Sequence, residues 1–254
     1  PQDGWEPVTE GEHWGGDYGY AWFRGRFTVP ADLAEKELWI KSLTGEAESL
    51  LFINGEAKGM FDANEEVSNP QNRLHEIQLL TPCACKGECF DILLESYAGH
   101  VSEGCMPFES RGDCDHFYPY NTDRVYNGVE IVEVDRQIST FLMDFRILWQ
   151  LYETAPQDSV QRGRLIHVLK EVYRLLPQTP KEFPEDVWRG RMDSVLTLFK
   201  EELSRGTDEE LFGKVGLIGH SHLDTAWQWP VRETLHKAAR TFSNALAVME
   251  RYPD

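Results

Sequence analysis

Three things are scarce in this sequence of 254 residues: long apolar runs, positive charge and cysteine. No stretch approaches the about 18 consecutive apolar residues that a membrane-crossing helix needs, and the first twenty residues hold no apolar signal core. Lys and Arg number 25 against 43 Asp and Glu, a formal net charge of −18. That balance removes the basic footprint on which nucleic acid or anionic lipid binding depends and describes an acidic, soluble surface. The five cysteines sit at 83, 85, 89, 105 and 114, an odd number with three crowded into Cys83-Ala-Cys85-x3-Cys89. Structural zinc sites come as separated pairs with wider gaps, so reduced thiols in a cytoplasmic protein are the expectation. Position 1 is Pro rather than Met, which points to a start further upstream.

What is present suffices for a core: 41% of the residues are hydrophobic and 12% of the chain is aromatic, in a length that accommodates two domains. Residues 1–135 read as an all-β accessory domain, a sandwich of the jelly-roll, galactose-binding-like kind. Ala21 to Val29 alternates Trp22, Arg24 and Arg26 with Phe23, Gly25 and Phe27, and Pro30 ends the run. Further strands are expected at Glu37 to Leu43, Ser49 to Ile53, Glu76 to Leu80, Phe90 to Tyr97 and Gly128 to Asp135. Asn54-Gly55 is a strong hairpin signal. Trp5, Trp14, Trp22 and Trp39 could form a sugar-binding face, but filling the space between two sheets is the favoured reading.

Residues 136–206 read as a helical spacer. Ile138, Phe141, Leu142, Phe145, Leu148, Trp149 and Tyr152 recur at steps of three and four, which predicts one helix ended by Pro156. A second, capped by Asp158 or Ser159, turns Leu165, Leu169, Val172 and Leu176 inward. A third, about Glu185 to Ser204, carries Trp188, Met192, Val195, Leu196, Phe199 and Leu203. No polar residue stands out on these stripes, and His167 is read as structural.

The richest chemistry lies in Lys214 to Pro230, KVGLIGHSHLDTAWQWP. Val215-Gly216-Leu217-Ile218 predicts a short buried strand. Residues two apart on an extended chain share a side, so His220, His222 and Asp224 can line the strand's exit, where parallel α/β folds place ligand sites. Imidazoles and a carboxylate at that spacing suit a divalent transition metal, zinc first. A helix from Arg232 to Arg251 follows Pro230. Its apolar face would be Leu235, Ala239, Phe242, Leu246 and Met249, with Arg232, Lys237, Arg240 and Glu250 solvated. Strand, loop and helix make the first βα unit of a third domain at 207–254, an α/β barrel cut off one unit in, since a lone βα unit cannot bury both faces.

The stretch Gly219 to Pro230, with Arg232-Glu233-Thr234 and Lys237-Ala238-Ala239-Arg240-Thr241-Phe242 after it, resembles the opening of the catalytic domain of family 38 glycoside hydrolases, the zinc-dependent retaining α-mannosidases. The likeness is to the bacterial and cytosolic branch, in which a β-domain and a helical spacer precede the barrel. Trp14-Gly15-Gly16, Ala21-Trp22-Phe23-Arg24 and Glu95-Ser96-Tyr97-Ala98-Gly99-His100 are similar to that branch as well. The cysteine-bearing stretch 83–89 and Gln228 depart from the pattern. The resemblance implies His222 and Asp224 as zinc ligands and Trp227 as a wall of the mannose subsite, with His220 in a supporting place. It also implies α-mannoside oligosaccharides as substrates, a homo-oligomeric parent, and a nucleophile, acid/base and remaining ligands beyond Asp254, which leaves no catalytic residue within the chain. Glu233, in a helix's first turn, suits a helix-dipole role. Two alternatives stay open. A His-x-His after a first barrel strand also opens metal-dependent amidohydrolases, whose ligands would be His220 and His222; the Asp-Thr-Ala-Trp continuation speaks against it. The other is a non-catalytic carbohydrate-binding or accessory module.

Overall fold

The computed structural model describes residues 4–62, 76–100, 121–177, 182–205, 216, 218–227 and 229–253. They form two compact units, one of Pro1–Glu133 with Gly219–Asp254, the other of Val134–Ile218.

In the first unit the described strands are β1 (His13–Gly15), β2 (Tyr20–Thr28), β3 (Leu38–Ser42), β4 (Glu48–Ile53), β5 (Glu56–Asp62), β6 (Ile77–Thr81), β7 (Cys89–Tyr97), β8 (Asp123–Val125) and β9 (Val129–Val132). They pair antiparallel into a four-stranded sheet of order β2-β7-β4-β5, a three-stranded sheet β6-β3-β9 and a two-stranded pair β1-β8. The hairpin at Asn54-Gly55 joins β4 to β5, and both residues have positive φ, 52° and 84°. That is the type I′ requirement for which a short polar residue and a glycine are suited.

The two larger sheets share one core. Leu38 and Ile40 come from β3, Leu51 and Ile53 from β4, Phe61 from β5, Leu80 from β6 and Phe90, Ile92 and Leu94 from β7, with Phe23 and Phe27 packed against them. Alternation along β2 works as the sequence indicates, because Phe23 and Phe27 turn inward while Trp22, Arg24 and Arg26 are exposed. Each fully buried Leu or Ile contributes about 1.5–3 kcal/mol.

The tryptophans do not fill this space, contrary to expectation. Trp39 lies between Leu38 and Ile40 on β3, so it faces away from the shared core; it is buried instead under the guanidinium of Arg251, 4.1 Å from the ring centroid. Trp14 is half-buried, donating from Nε1 to Thr44 O at 2.7 Å. Trp5 and Trp22 are exposed, the latter stacked on Phe52. Branched aliphatics and phenylalanine carry the packing because they bring no polar atom that needs a partner. Cys83, Cys85 and Cys89 are exposed free thiols, while Cys105 and Cys114 lie outside the described residues.

The second unit holds α1 (Arg136–Thr154), α2 (Val160–Leu175) and α3 (Glu185–Ser204). Asp135 caps α1 by accepting from Ile138 N, and Ser159 caps α2 by accepting from Arg162 N. Leu148, Leu165, Val168, Val172, Val195 and Phe199 form the core, with Phe141, Phe145 and Tyr152 against it. Leu142 and Trp149, at the margins of the predicted α1 stripe, are exposed. One polar residue breaks the otherwise apolar inner face: Glu202 is buried, facing Arg164 at 3.5 Å and Arg205 at 3.4 Å.

The last helix, α4 (Val231–Arg251), belongs to the first unit and packs on β5 and β4.

Candidate metal-ligand loop and the helix behind it

Of the predicted strand 215–218, Val215 and Leu217 lie outside the described residues. Gly216 and Ile218 are described, belong to no strand, and Ile218 is 93% exposed. A strand exists by pairing, and no described strand runs beside this one, so the expectation of a buried strand fails for the residues seen. The chain from Gly219 to Asp224 is irregular, also without a strand partner.

The side chains nonetheless meet as the two-residue spacing indicates. His222 Nε2 lies 3.3 Å from Asp224 Oδ1, both side chains open to solvent. The rings of His220 and His222 are 5.8 Å apart at their centroids. Trp227 is 46% exposed and meets Trp229 edge to face at 6.1 Å; Gln228 between them lies outside the described residues. Among the described residues no group of three or more His, Cys, Asp or Glu side chains could hold a metal ion. The loop thus offers an imidazole nitrogen and a carboxylate oxygen side by side, donors of the kind zinc accepts, and supplies two of the four positions a tetrahedral site needs.

Behind the loop, α4 overturns the predicted orientation. The apolar stripe faces outward, with Leu235 74% and Met249 67% exposed, and Phe242 and Leu246 similarly open. Arg232 and Glu250 are solvated as expected, but Lys237 is largely covered and Arg240 is 1% exposed. The reason lies in the opposing sheet, which presents carboxylates and a phenol. Lys237 Nζ donates to Glu48 Oε1 at 2.8 Å, and Arg240 Nε lies 2.7 Å from Glu48 Oε2, an ion pair bent outside hydrogen-bond alignment. Arg240 Nη2 donates to Glu233 Oε1 at 2.6 Å, and Tyr20 Oη lies 2.7 Å from both Glu233 oxygens. Arg240 Nη1 reaches Tyr20 Oη at 3.3 Å, and His236 Nδ1 meets Glu95 Oε1 at 2.5 Å. Further along, Gly59 N donates to Ser243 Oγ at 2.8 Å.

Charges balance inside this cluster, Glu48 and Glu233 against Lys237 and Arg240, as buried ions must. Burial pushes the Glu48 carboxyl upward, yet Arg240 and Lys237 hold it below the usual carboxylate range. Burial lifts the Tyr20 phenol well above its ordinary value despite the neighbouring Arg240, so Tyr20 stays a proton donor to Glu233. Glu233 is therefore engaged by the sheet and by Arg240, a role beyond the helix dipole. Sequence reasoning passed over this cluster. The available signal was a second stripe: Glu233, Lys237, Arg240 and Asn244 recur at steps of four, three and four, a helical face made of polar residues.

The helix is joined to the loop by short links. Thr234 Oγ1 donates to Thr225 O, Trp229 Nε1 donates to Thr234 Oγ1 at 3.2 Å, and the Lys237 ammonium sits 4.4 Å from the Trp229 ring centroid. Pro230 stands at the helix's N-cap.

Residues 212–254 match the family model described as the glycosyl hydrolases family 38 N-terminal domain. Over the whole chain, Alpha-mannosidase 2C1 of Mus musculus is 23% identical across 271 residues, covering 100% of this chain and 22% of that protein. The Homo sapiens protein of the same name is 23% identical with the same shares. Alpha-mannosidase G of Dictyostelium discoideum is 23% identical over 96% of this chain and 21% of its own length. The chain thus spans about a fifth of the length of the curated relatives it matches. The loop and α4 are thus similar to the family 38 N-terminal domain, and the chain as a whole is similar to alpha-mannosidases.

Proposed function

We propose that the polypeptide is the N-terminal part of a zinc-dependent retaining α-mannosidase that hydrolyses terminal α-mannosides of oligosaccharides in the cytoplasm. The observation that carries the reading is the approach of His222 to Asp224 at 3.3 Å inside the segment that matches the family 38 model. His222 and Asp224 would hold the zinc ion, Trp227 would wall the mannose subsite with its open ring, and His220 would support the loop. Bound zinc would supply a centre that grips two vicinal sugar hydroxyls, an interaction able to strengthen as the ring flattens. The retaining reaction requires two carboxyls about 5–5.5 Å apart, and in this proposal they and the other zinc ligands lie outside the polypeptide.

In the same reading the β-rich unit is a jelly-roll accessory domain and residues 207–254 open an α/β barrel. Two features support that division: the outward apolar stripe of α4, which suits cover by later barrel elements, and the one-fifth share of the relatives' length. The 254-residue polypeptide by itself is then inactive.

The test is hydrolysis of p-nitrophenyl α-mannoside by the complete protein. We expect turnover that His222→Ala or Asp224→Ala abolishes, with loss of bound zinc; an undiminished rate in either variant overturns the assignment. Turnover by the polypeptide of residues 1–254 overturns the claim of inactivity.

A further inference from the structure

The loop that carries His222 and Asp224 is largely open to solvent among the described residues, yet it leads directly into a heavily ionised interior of the first unit. We infer that Tyr20 and Glu48 of the β-sheet, acting through Glu233, Lys237 and Arg240 of α4, are positioning residues for the metal-ligand loop, an inference that rests on the function proposed above.

The path is continuous. Glu48 holds Lys237 at 2.8 Å, and the Lys237 ammonium lies over Trp229. Trp229 and the Thr225 carbonyl are both tied to Thr234 in the first turn of α4, one residue past Glu233. Glu233 is itself clamped between Tyr20 Oη at 2.7 Å and Arg240 Nη2 at 2.6 Å. Thr225 follows Asp224 in the chain, so fixing its carbonyl limits the torsions available to the proposed ligand.

Chemistry suits the task better than an apolar contact would. An apolar face tolerates sliding and rotation by fractions of a turn, because dispersion contacts are non-directional. Charged hydrogen bonds from the planar Arg240 guanidinium at 2.6 Å and the Lys237 ammonium at 2.8 Å fix azimuth and register together. The buried location makes any displacement costly, since it would leave a carboxylate or guanidinium without its counter-charge. Such a clamp is what an exposed, irregular loop needs if its two donors are to keep the separation a metal demands.

The experiment uses the complete protein in four forms: unaltered, Glu48→Gln, Tyr20→Phe and, as a control on the solvated side of α4, Glu250→Gln. Two quantities are read below the unfolding temperature of every form: amide hydrogen exchange over residues 222–234, and the free zinc concentration for half-loading under chelator competition. Glu48→Gln is expected to speed exchange in this segment and to raise the half-loading concentration at least tenfold; Tyr20→Phe, which keeps the ring and removes one donor, is expected to do both to a smaller degree. Glu250→Gln should change neither. Faster exchange with unaltered zinc loading makes the cluster a fold-stabilising device only and overturns the inference, as does no change in either quantity. If the unaltered protein binds no zinc, the mannosidase reading fails, and unchanged exchange in Glu48→Gln would independently sink the clamp.

Discussion

Helices α1 to α3 and helix α4 solve the same problem in opposite ways. The first three bury their apolar stripes against one another, with Phe199, Val195 and Leu148 fully enclosed and charges outside save for Glu202. Helix α4 carries an apolar stripe at least as regular and leaves it open, burying Glu233, Arg240 and Ser243 instead. Periodicity therefore reports that a helix has two unlike faces, and the partner decides which of them goes in. A sheet offering Glu48, Glu95 and Tyr20 selects the polar face, because Glu48 would otherwise be buried without counter-charge and Glu95 and Tyr20 without hydrogen-bond partners.

That contrast can be broken or sharpened by substitution. Phe199→Ala should lower the stability of the α1–α3 unit by about 4 kcal/mol, the usual cost of emptying an aromatic site in a core, read from denaturant unfolding followed by circular dichroism. Arg240→Ala should cost about 3 kcal/mol in the first unit, because it removes the guanidinium that Glu48 and Glu233 share and leaves Glu233 without a buried cation; a loss as small as that of a surface residue would place the cation in water rather than inside. Acid provides the third test. Glu48 has its carboxyl depressed in the folded state, so the stability it contributes is present above the unfolded value of about 4.3 and disappears as pH falls through the lower folded value. Acidification below pH of about 4 should thus loosen α4, and Glu48→Gln should remove that acid phase. In α1–α3 the comparable carboxyl is Asp135, depressed by its bond to Arg189, but that ion pair is partly open to solvent and its effect on acid stability should be slight. The smallest effect is expected on the open stripe: Phe242→Ser in the 254-residue chain should alter stability by no more than about 0.5 kcal/mol. A larger loss would mean that this face is covered.

How much of this could be read beforehand divides along the same line. Helices α1 to α3 were legible almost to the residue, because their stripes are buried within a contiguous run of chain and Ser159 announces its cap. The β-strands were legible where alternation was strong, as in β2 and β7, or where Asn54-Gly55 fixed a turn. The three-residue strands β1 and β8 were not, since so short a run has no period. The meeting of His222 with Asp224 followed from spacing alone. Burial of Arg240 did not, because its partners Glu48 and Tyr20 stand about 190 or more residues earlier, and pairings at that separation leave no local trace.

The same separation bears on the order in which the chain acquires its structure. Helices α1 to α3 draw every contact of their core from one unbroken segment, so that segment can organise as soon as it is synthesised. The β-rich unit has to wait: its sheet is complete at Val132, while the helix that neutralises Glu48 arrives only with Val231–Arg251. Until then a nascent polypeptide carries an uncompensated acidic seat, a state that a ribosome-bound chain halted before residue 231 would display and that a basic helical peptide supplied in trans should recognise.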